Sequence, residues 1–165
     1  MKIFTIASKK EEKFLRTKTA DFDFDKANKK EIQETIKKMR KIMNFASGIG
    51  LSANQIGLNL RLFVAQLPEI VNSKNRKFYA VFNPKITKPS KKKIVLEEGC
   101  LSVPEAYGLV ERSDKITLIG NDKNGRKIKI KADGLLARVF QHETDHLNGI
   151  LFIDRTKDIR NMNHE

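Results

Sequence analysis

The sequence predicts an α+β fold: antiparallel β-strands packed around a C-terminal metal-binding helix, with a further helix near the N-terminus. Three observations carry this. An amphipathic run opens near residue 28, a middle stretch rich in β-branched and aromatic residues is punctuated by turn formers, and helical spacing returns after residue 133. With 165 residues, 39% hydrophobic and 32% charged, the chain is long enough to bury a core of its own, and residues 1–165 read as one domain.

The first element follows from Ile32, Ile36, Met39 and Met43, which recur at helical spacing behind Asn28; Asn28 with Glu31 three residues on reads as an N-terminal cap. The spacing predicts a helix over 28–46, ended by Gly48. "SGIGLSANQIG" then reads as a glycine-punctuated loop whose backbone lies close to a ligand. "LRLFVAQL" and "KFYAVFNPKI" read as strands, and "KKKIVLEEGCLSV" continues the β character. In "DKITLIGNDKNGRKIKIKA", Ile116 and Leu118 alternate before a turn at Asn121 to Gly125, and Ile128 and Ile130 alternate after it, which predicts a hairpin. From about Asp133, Leu135, Val139, His142 and His146 fall on one helical stripe, predicted to face the core. No internal repeat or interdomain linker interrupts this order.

Charge and composition narrow the setting. The net charge is +13, but lysine dominates the excess and is scattered through segments such as "KANKKEIQETIKKMRK" and "KPSKKKI". No aromatic-studded basic strand or recognition helix accompanies it, so no dedicated nucleic-acid site is expected. No run approaches the roughly 18 apolar residues of a membrane span, and "MKIFTIASKK" is too short and too soon charged for a signal peptide. A cytoplasmic protein without a membrane partner is the expectation. Cys100 is the only cysteine, so no intramolecular disulfide forms within a chain, and its own readings are a buried small hydrophobe, a nucleophile or a metal ligand.

"QHETDHLNG" at 141–149 supplies the chemistry. Residues four apart on a helix lie one above the other, so His142 and His146 can direct imidazole nitrogens at one ion. Glu143 projects about 100° around the helix and can act on water at the site without binding the ion itself. The third ligand is not downstream. The longer zinc-protease motif would need a histidine where Phe152 stands, and after His146 the only carboxylates are Asp154, Asp158 and Glu165, none well placed on a following helix. The remaining histidine, His164, is one residue from the C-terminus. Cys100 in "EEGCLSVP" is therefore the best upstream candidate; a thiolate with two imidazoles is a strong set for zinc or ferrous iron, with a fourth position left open.

Taken together, "GIGLSANQ" at 48–55, "EGCLS" at 98–102 and "QHETDH" at 141–146 resemble the three signature motifs of the peptide deformylase family, in order and approximate spacing. "ADGLLARVFQHETDHLNGILFIDR" extends the likeness, which covers roughly residues 48–155. The resemblance implies removal of the N-terminal formyl group from formylmethionine of nascent polypeptides, releasing formate. It implies Cys100, His142 and His146 as metal ligands, with Fe(II) the native metal and zinc, nickel or cobalt accepted by the same ligands. Glu143 is implied as general acid and base, and Gln55 with the backbone N–H of Leu101 as oxyanion donors. For the substrate it implies backbone contacts at Ile49, Gly50 and Gly99, and an apolar methionine pocket near Leu96, Glu98, Leu135, Arg138 and Val139. The expected partners are formyl-Met nascent peptides and, through the positive charge, the ribosome; a monomer is expected.

Departures from the family pattern set further expectations. Arg138 stands where an apolar residue is usual, its stem expected to line the pocket and its charge to reach water. Ser52 stands where alanine is common and is expected to add a hydrogen bond in the loop. The usual proline-containing opening is missing, with only "FLR" at 14–16 kept, which leaves the course of residues 1–25 open. No long basic C-terminal helix for ribosome docking is expected. A general metalloprotease is disfavoured because both of its third-ligand patterns fail. A basic RNA-binding protein with a purely structural metal is disfavoured because such a site requires neither Glu143 nor Gln55.

Overall fold

In the computed structural model, residues 2–68 and 77–161 are described; His164 and Glu165 lie outside them. Helix α1 spans Lys9–Leu15, α2 Lys29–Phe45 and α3 Gly134–Leu147. Strands β1 (Gly50–Ser52), β2 (Leu62–Gln66), β3 (Phe78–Thr87), β6 (Lys115–Asn121) and β7 (Lys127–Asp133) form one sheet in the order β1-β2-β3-β6-β7. Strands β4 (Lys93–Cys100), β5 (Val103–Ser113) and β8 (Ile159–Asn161) form a second. Every pairing in both sheets is antiparallel, as the alternating strand patterns and short turns require.

The larger sheet is covered on both faces, and β2 records this. Leu62 and Val64 pack with Ile32, Ile36, Met39 and Met43 of α2, while the intervening Phe63 and Ala65 pack with Ala137, Phe140 and Leu147 of α3. A strand clad on both sides loses its polar alternation, which is why "LFVA" reads as a continuous apolar run. A third cluster, with Val103, Ala106, Val110, Leu151 and Phe152, lies under the smaller sheet.

The helix predicted over 28–46 and the four apolar residues of its stripe are present, with the Asn28 side chain accepting the Lys30 N–H at 2.8 Å. Its end differs from the expectation. Gly48 does not terminate it: Ser47 takes the left-handed turn (φ 54°), and the Gly48 N–H closes back onto the Met43 carbonyl at 2.9 Å. The β6–β7 hairpin forms as expected, with Gly125 at φ 79° in its turn. Leu135 departs from the core-facing stripe, being 45% exposed, because it opens the first turn of α3 beyond the sheet's cover. Helix α1, the long strand β5 and the short β8 were not anticipated.

Candidate metal centre

Helix α3 starts at Gly134, whose φ of 51° lets the chain turn out of β7, and whose N–H bonds the Asp114 carbonyl at 3.0 Å. Two turns on, His142 and His146 stand with their Nε2 atoms 3.2 Å apart, and the Cys100 Sγ lies 3.1 Å from the His146 Nε2. The three donor atoms fall within 4.8 Å of one another. An ion bound tetrahedrally at about 2.0–2.3 Å would separate its ligand atoms by roughly 3.3–3.6 Å, so the two separations at the His146 Nε2 need to open by only a few tenths of an ångström.

The electrostatics agree with that fit. Burial is the largest influence on Cys100 and opposes its charge, yet His146 and His142 hold the thiol well below its ordinary range. Burial likewise opposes charge on His142, while Cys100 and Glu98 raise it to about 10. The thiolate and Glu98 thus draw positive charge onto the His142 imidazole, and a divalent cation would supply that charge in its place. The residues present fit a metal of the zinc or ferrous type.

His142 is oriented from behind. Its Nδ1 lies 3.0 Å from the Glu98 Oε2, the carboxylate–histidine arrangement that fixes the tautomer of a metal ligand. Glu98 is also bonded by Arg112, at 2.6 and 2.9 Å, and by Arg138 at 2.5 Å. Burial pushes the Glu98 carboxyl up, but His142 and Arg112 hold it well below the usual carboxylate range. Arg138 departs from its expectation. Its guanidinium does not reach water; it is buried, bonding Glu98 and the Val110 and Ile94 carbonyls. A buried carboxylate supplies the counter-charge that makes the inward rotamer favourable.

Glu143 is buried, and burial raises its carboxyl above the ordinary range against the pull of His142 and His146. The Ser52 hydroxyl lies 2.7 Å from its Oε2 and 3.0 Å from its backbone carbonyl. Ser52 therefore adds its hydrogen bonds not within its own loop but onto the residue beside the candidate ligands. Gly50 faces the other oxygen, since a Cβ there would overlap the Glu143 Oε1. Gln55 is held by its Oε1 on the Ser52 N–H at 2.9 Å, which leaves its amide N–H groups directed at the Cys100 Sγ (3.6 Å) and the Ser102 Oγ (3.1 Å).

A cavity of about 600 Å³ opens in front of these groups. Gln55, Cys100, Leu101, His142 and Glu143 line it, and so do Ile49, Gly50, Glu98, Gly99, Leu135, Arg138 and Val139. Leu96 does not; it is 47% exposed outside the cavity. Tyr107 and Val103 of β5 also line the cavity and were missed, since no sequence signal marks β5 as folding back over β4. β1 ends the five-stranded sheet and β4 the three-stranded one, so a sheet edge borders the cavity on either side.

The comparisons with known proteins agree with this geometry. The family model described as polypeptide deformylase matches residues 3–162. A peptide deformylase of Treponema pallidum (strain Nichols) is 41% identical over 130 residues, 79% of this chain and 76% of that one. One from Prochlorococcus marinus is 46% identical over 136 residues, covering 82% and 66%. The crystal structure of a probable peptide deformylase from a Synechococcus phage superposes with a TM-score of 0.83 at 40% identity, covering 94% of this chain and 99% of that one. A peptide deformylase from Synechococcus elongatus, solved in complex with actinonin, gives 0.83 at 36% identity, covering 95% and 80%.

Proposed function

Because this chain belongs to the peptide deformylase family, we propose how its own residues carry out the family's reaction. The activity is metal-dependent hydrolysis of the formyl group from N-formyl-Met peptides, releasing formate. The observation that carries the assignment of roles is the convergence of Cys100, His142 and His146 beside a buried Glu143, with Cys100, His142 and Glu143 lining one cavity and His146 buried behind them.

Cys100, His142 and His146 would hold the ion, which supplies Lewis acidity that lowers the pKa of water and polarises a carbonyl. Glu143 takes the proton of the attacking water and delivers it to the departing amine, a role that suits a carboxyl raised by burial. Ser52 keeps one Glu143 oxygen engaged, so that the other, above Gly50, is the one that exchanges the proton. As the formyl oxygen gains charge, the Gln55 amide, turning from Cys100 and Ser102, and the Leu101 N–H would donate to it, each such donor being worth about 3 kcal/mol of barrier. The peptide would enter as an added strand between β1, at Ile49 and Gly50, and β4, at Gly99. Its methionine side chain would lie against Leu135, Val139 and the Arg138 stem, with the Arg138 charge already neutralised by Glu98.

We read Fe(II) as the native metal, with zinc, nickel or cobalt accepted by the same ligands, and residues 1–165 as a single catalytic domain acting as a monomer in the cytoplasm. No helix among the described residues is long and apolar enough to cross a membrane. The +13 charge favours weak encounter with the RNA-rich ribosome; salt-sensitive co-sedimentation checks this, and sedimentation that ignores salt would remove it. The reaction itself is tested by formate release from a formyl-Met tripeptide under anaerobic conditions with Fe(II). Glu143→Ala is expected to lose at least about 100-fold in kcat with metal content retained. Undiminished release by that variant would overturn the role given to Glu143, and no release by the wild type would overturn the whole reading.

A further inference from the structure

Helix α3 presents a second polar face. Gln141, Thr144, Asp145 and Asn148 recur at i, i+3, i+4 and i+7 and line a cleft of about 400 Å³ that shares no lining residue with the catalytic cavity. Its other walls come from Arg61, the second half of β3 with Pro89 in the turn after it, the start of β4, the end of β5 and Arg155.

The charge in this cleft is unbalanced. Arg61, Lys85, Lys93, Arg112 and Arg155 line it against two carboxylates, Glu111 and Asp145. Asp145 is already shared by Arg112 at 2.7 Å and Arg155 at 2.5 Å, and Arg112 is further neutralised by Glu98. Among the residues that line the cleft, this leaves Arg61, Lys85 and Lys93 with Glu111 as the one carboxylate not already shared. Arg61 is buried, yet it donates to neutral oxygens: the Leu147 carbonyl at 3.1 Å, the Pro84 carbonyl at 3.3 Å and the Asn148 Oδ1 at 2.9 Å. Its ion-pair partner among the described residues, Asp21, stands 3.6 Å away with 83% of its side chain in solvent. Burial accordingly pulls the Arg61 pKa down, the mark of an under-compensated cation. Lys93 donates to another neutral group, the Ser113 hydroxyl, at 2.8 Å. The Thr144 hydroxyl, buried in the same wall, has no hydrogen-bond partner among the described residues, which leaves a polar group of this wall unsatisfied.

We propose that this cleft binds a tetrahedral oxyanion of the phosphate class, with Arg61, Lys85 and Lys93 as its cationic walls. Donors that reach in from three separate segments suit an anion with oxygens on all sides better than a planar carboxylate. Glu111 is exposed at the rim, so it reduces the positive potential without closing the cleft. The site stands apart from the deformylase reading and does not depend on it.

The test uses the metal-loaded protein, titrated with inorganic phosphate against chloride at constant ionic strength while thermal melting is followed. A saturable rise of about 3–6 °C at ten times the dissociation constant is expected for a chain of this size. Lys85→Glu/Lys93→Glu, two exposed positions, is expected to lose the rise or need at least about ten times more phosphate, at unchanged formate release. Lys129→Glu/Lys131→Glu makes the same charge change on exposed β7 and is expected to keep the rise. No saturable rise in the wild type, or one unaltered in the cleft variant, overturns the proposal; in the second case phosphate is bound elsewhere, such as at the metal. A short single-stranded oligoribonucleotide separates the sources. Competition with phosphate that the cleft variant abolishes identifies nucleic-acid phosphodiester, whereas phosphate binding that the oligonucleotide leaves unaffected identifies a free oxyanion; both support the site.

Discussion

Glu143 reaches its place because residue 50 carries no side chain. A Cβ at Gly50 would overlap the Glu143 Oε1 and approach its Cδ at 2.8 Å, while the Ser52 hydroxyl holds the other oxygen from the opposite side. Gly50→Ala therefore displaces the carboxyl without touching a metal ligand. Since a shift of about 1 Å can cost 100-fold, kcat is expected to fall by about that factor in the formate assay, with metal content unchanged. A variant with full activity would show that Glu143 has room that this geometry denies it. The sequence marked Gly50 as a point of close backbone approach and Glu143 as the base, because both signals are local. It could not give Arg138 its direction. Helical spacing puts that residue beside the pocket, but only the fold brings the Glu98 carboxylate within 2.5 Å and turns the guanidinium inward.

At the scale of elements, α3 is held to β4 and β5 by buried charge. Glu98 binds His142, Arg112 and Arg138 at once, and Arg112 passes on to Asp145. Glu98→Gln keeps the volume but removes the negative charge, leaving two buried arginines with one carboxylate, Asp145, on Arg112 only. Breaking a buried pair in this way costs about 3–5 kcal/mol, and loss of the carboxylate behind a ligating histidine costs about 10–100-fold in metal affinity. Both effects are expected together: a lower melting temperature without metal, and faster loss of metal to a chelator. A lower melting temperature with unchanged metal affinity would reduce Glu98 to a structural role. The helices themselves were legible, since periodicity of 3.6 survives in Ile32, Ile36, Met39 and Met43 whatever surrounds them. The network was not, because Glu98, Arg112 and Asp145 are separated in sequence and carry no spacing that links them. β5 is hidden for a related reason: its burial alternates from Ala106 to Arg112, but apolar Tyr107 and Leu109 face outward while Gly108 and Arg112 face inward, so residue type does not follow the alternation.

Across the whole molecule, the N-terminal segment joins the three motif regions that meet at the candidate metal centre. The Phe4 N–H bonds the Gln55 carbonyl at 2.7 Å, the Ile6 N–H bonds the Ser102 carbonyl at 3.0 Å, and the Thr19 N–H and hydroxyl both donate to the Leu147 carbonyl at 3.0 Å. Asn54 then ties this segment to the ligand helix, its amide lying 3.5 Å from the Leu15 carbonyl and 2.6 Å from the His146 carbonyl. None of this was legible in residues 1–25. Backbone donors carry no sequence signal, and their partners lie between about 40 and 130 residues away, where local patterning has no reach. The consequence is measurable at Leu15, which is fully buried. Leu15→Ala leaves a cavity worth about 2–5 kcal/mol, or roughly 5–15 °C of melting temperature in a chain of this length. If the segment is a tie between the motifs, unfolding followed by far-ultraviolet circular dichroism and release of bound metal should shift together, because Gln55, Ser102 and Leu147 lose their partners in the same event. If the segment is only a peripheral covering, it will fray alone, and the midpoint of metal release will stay where the wild type has it.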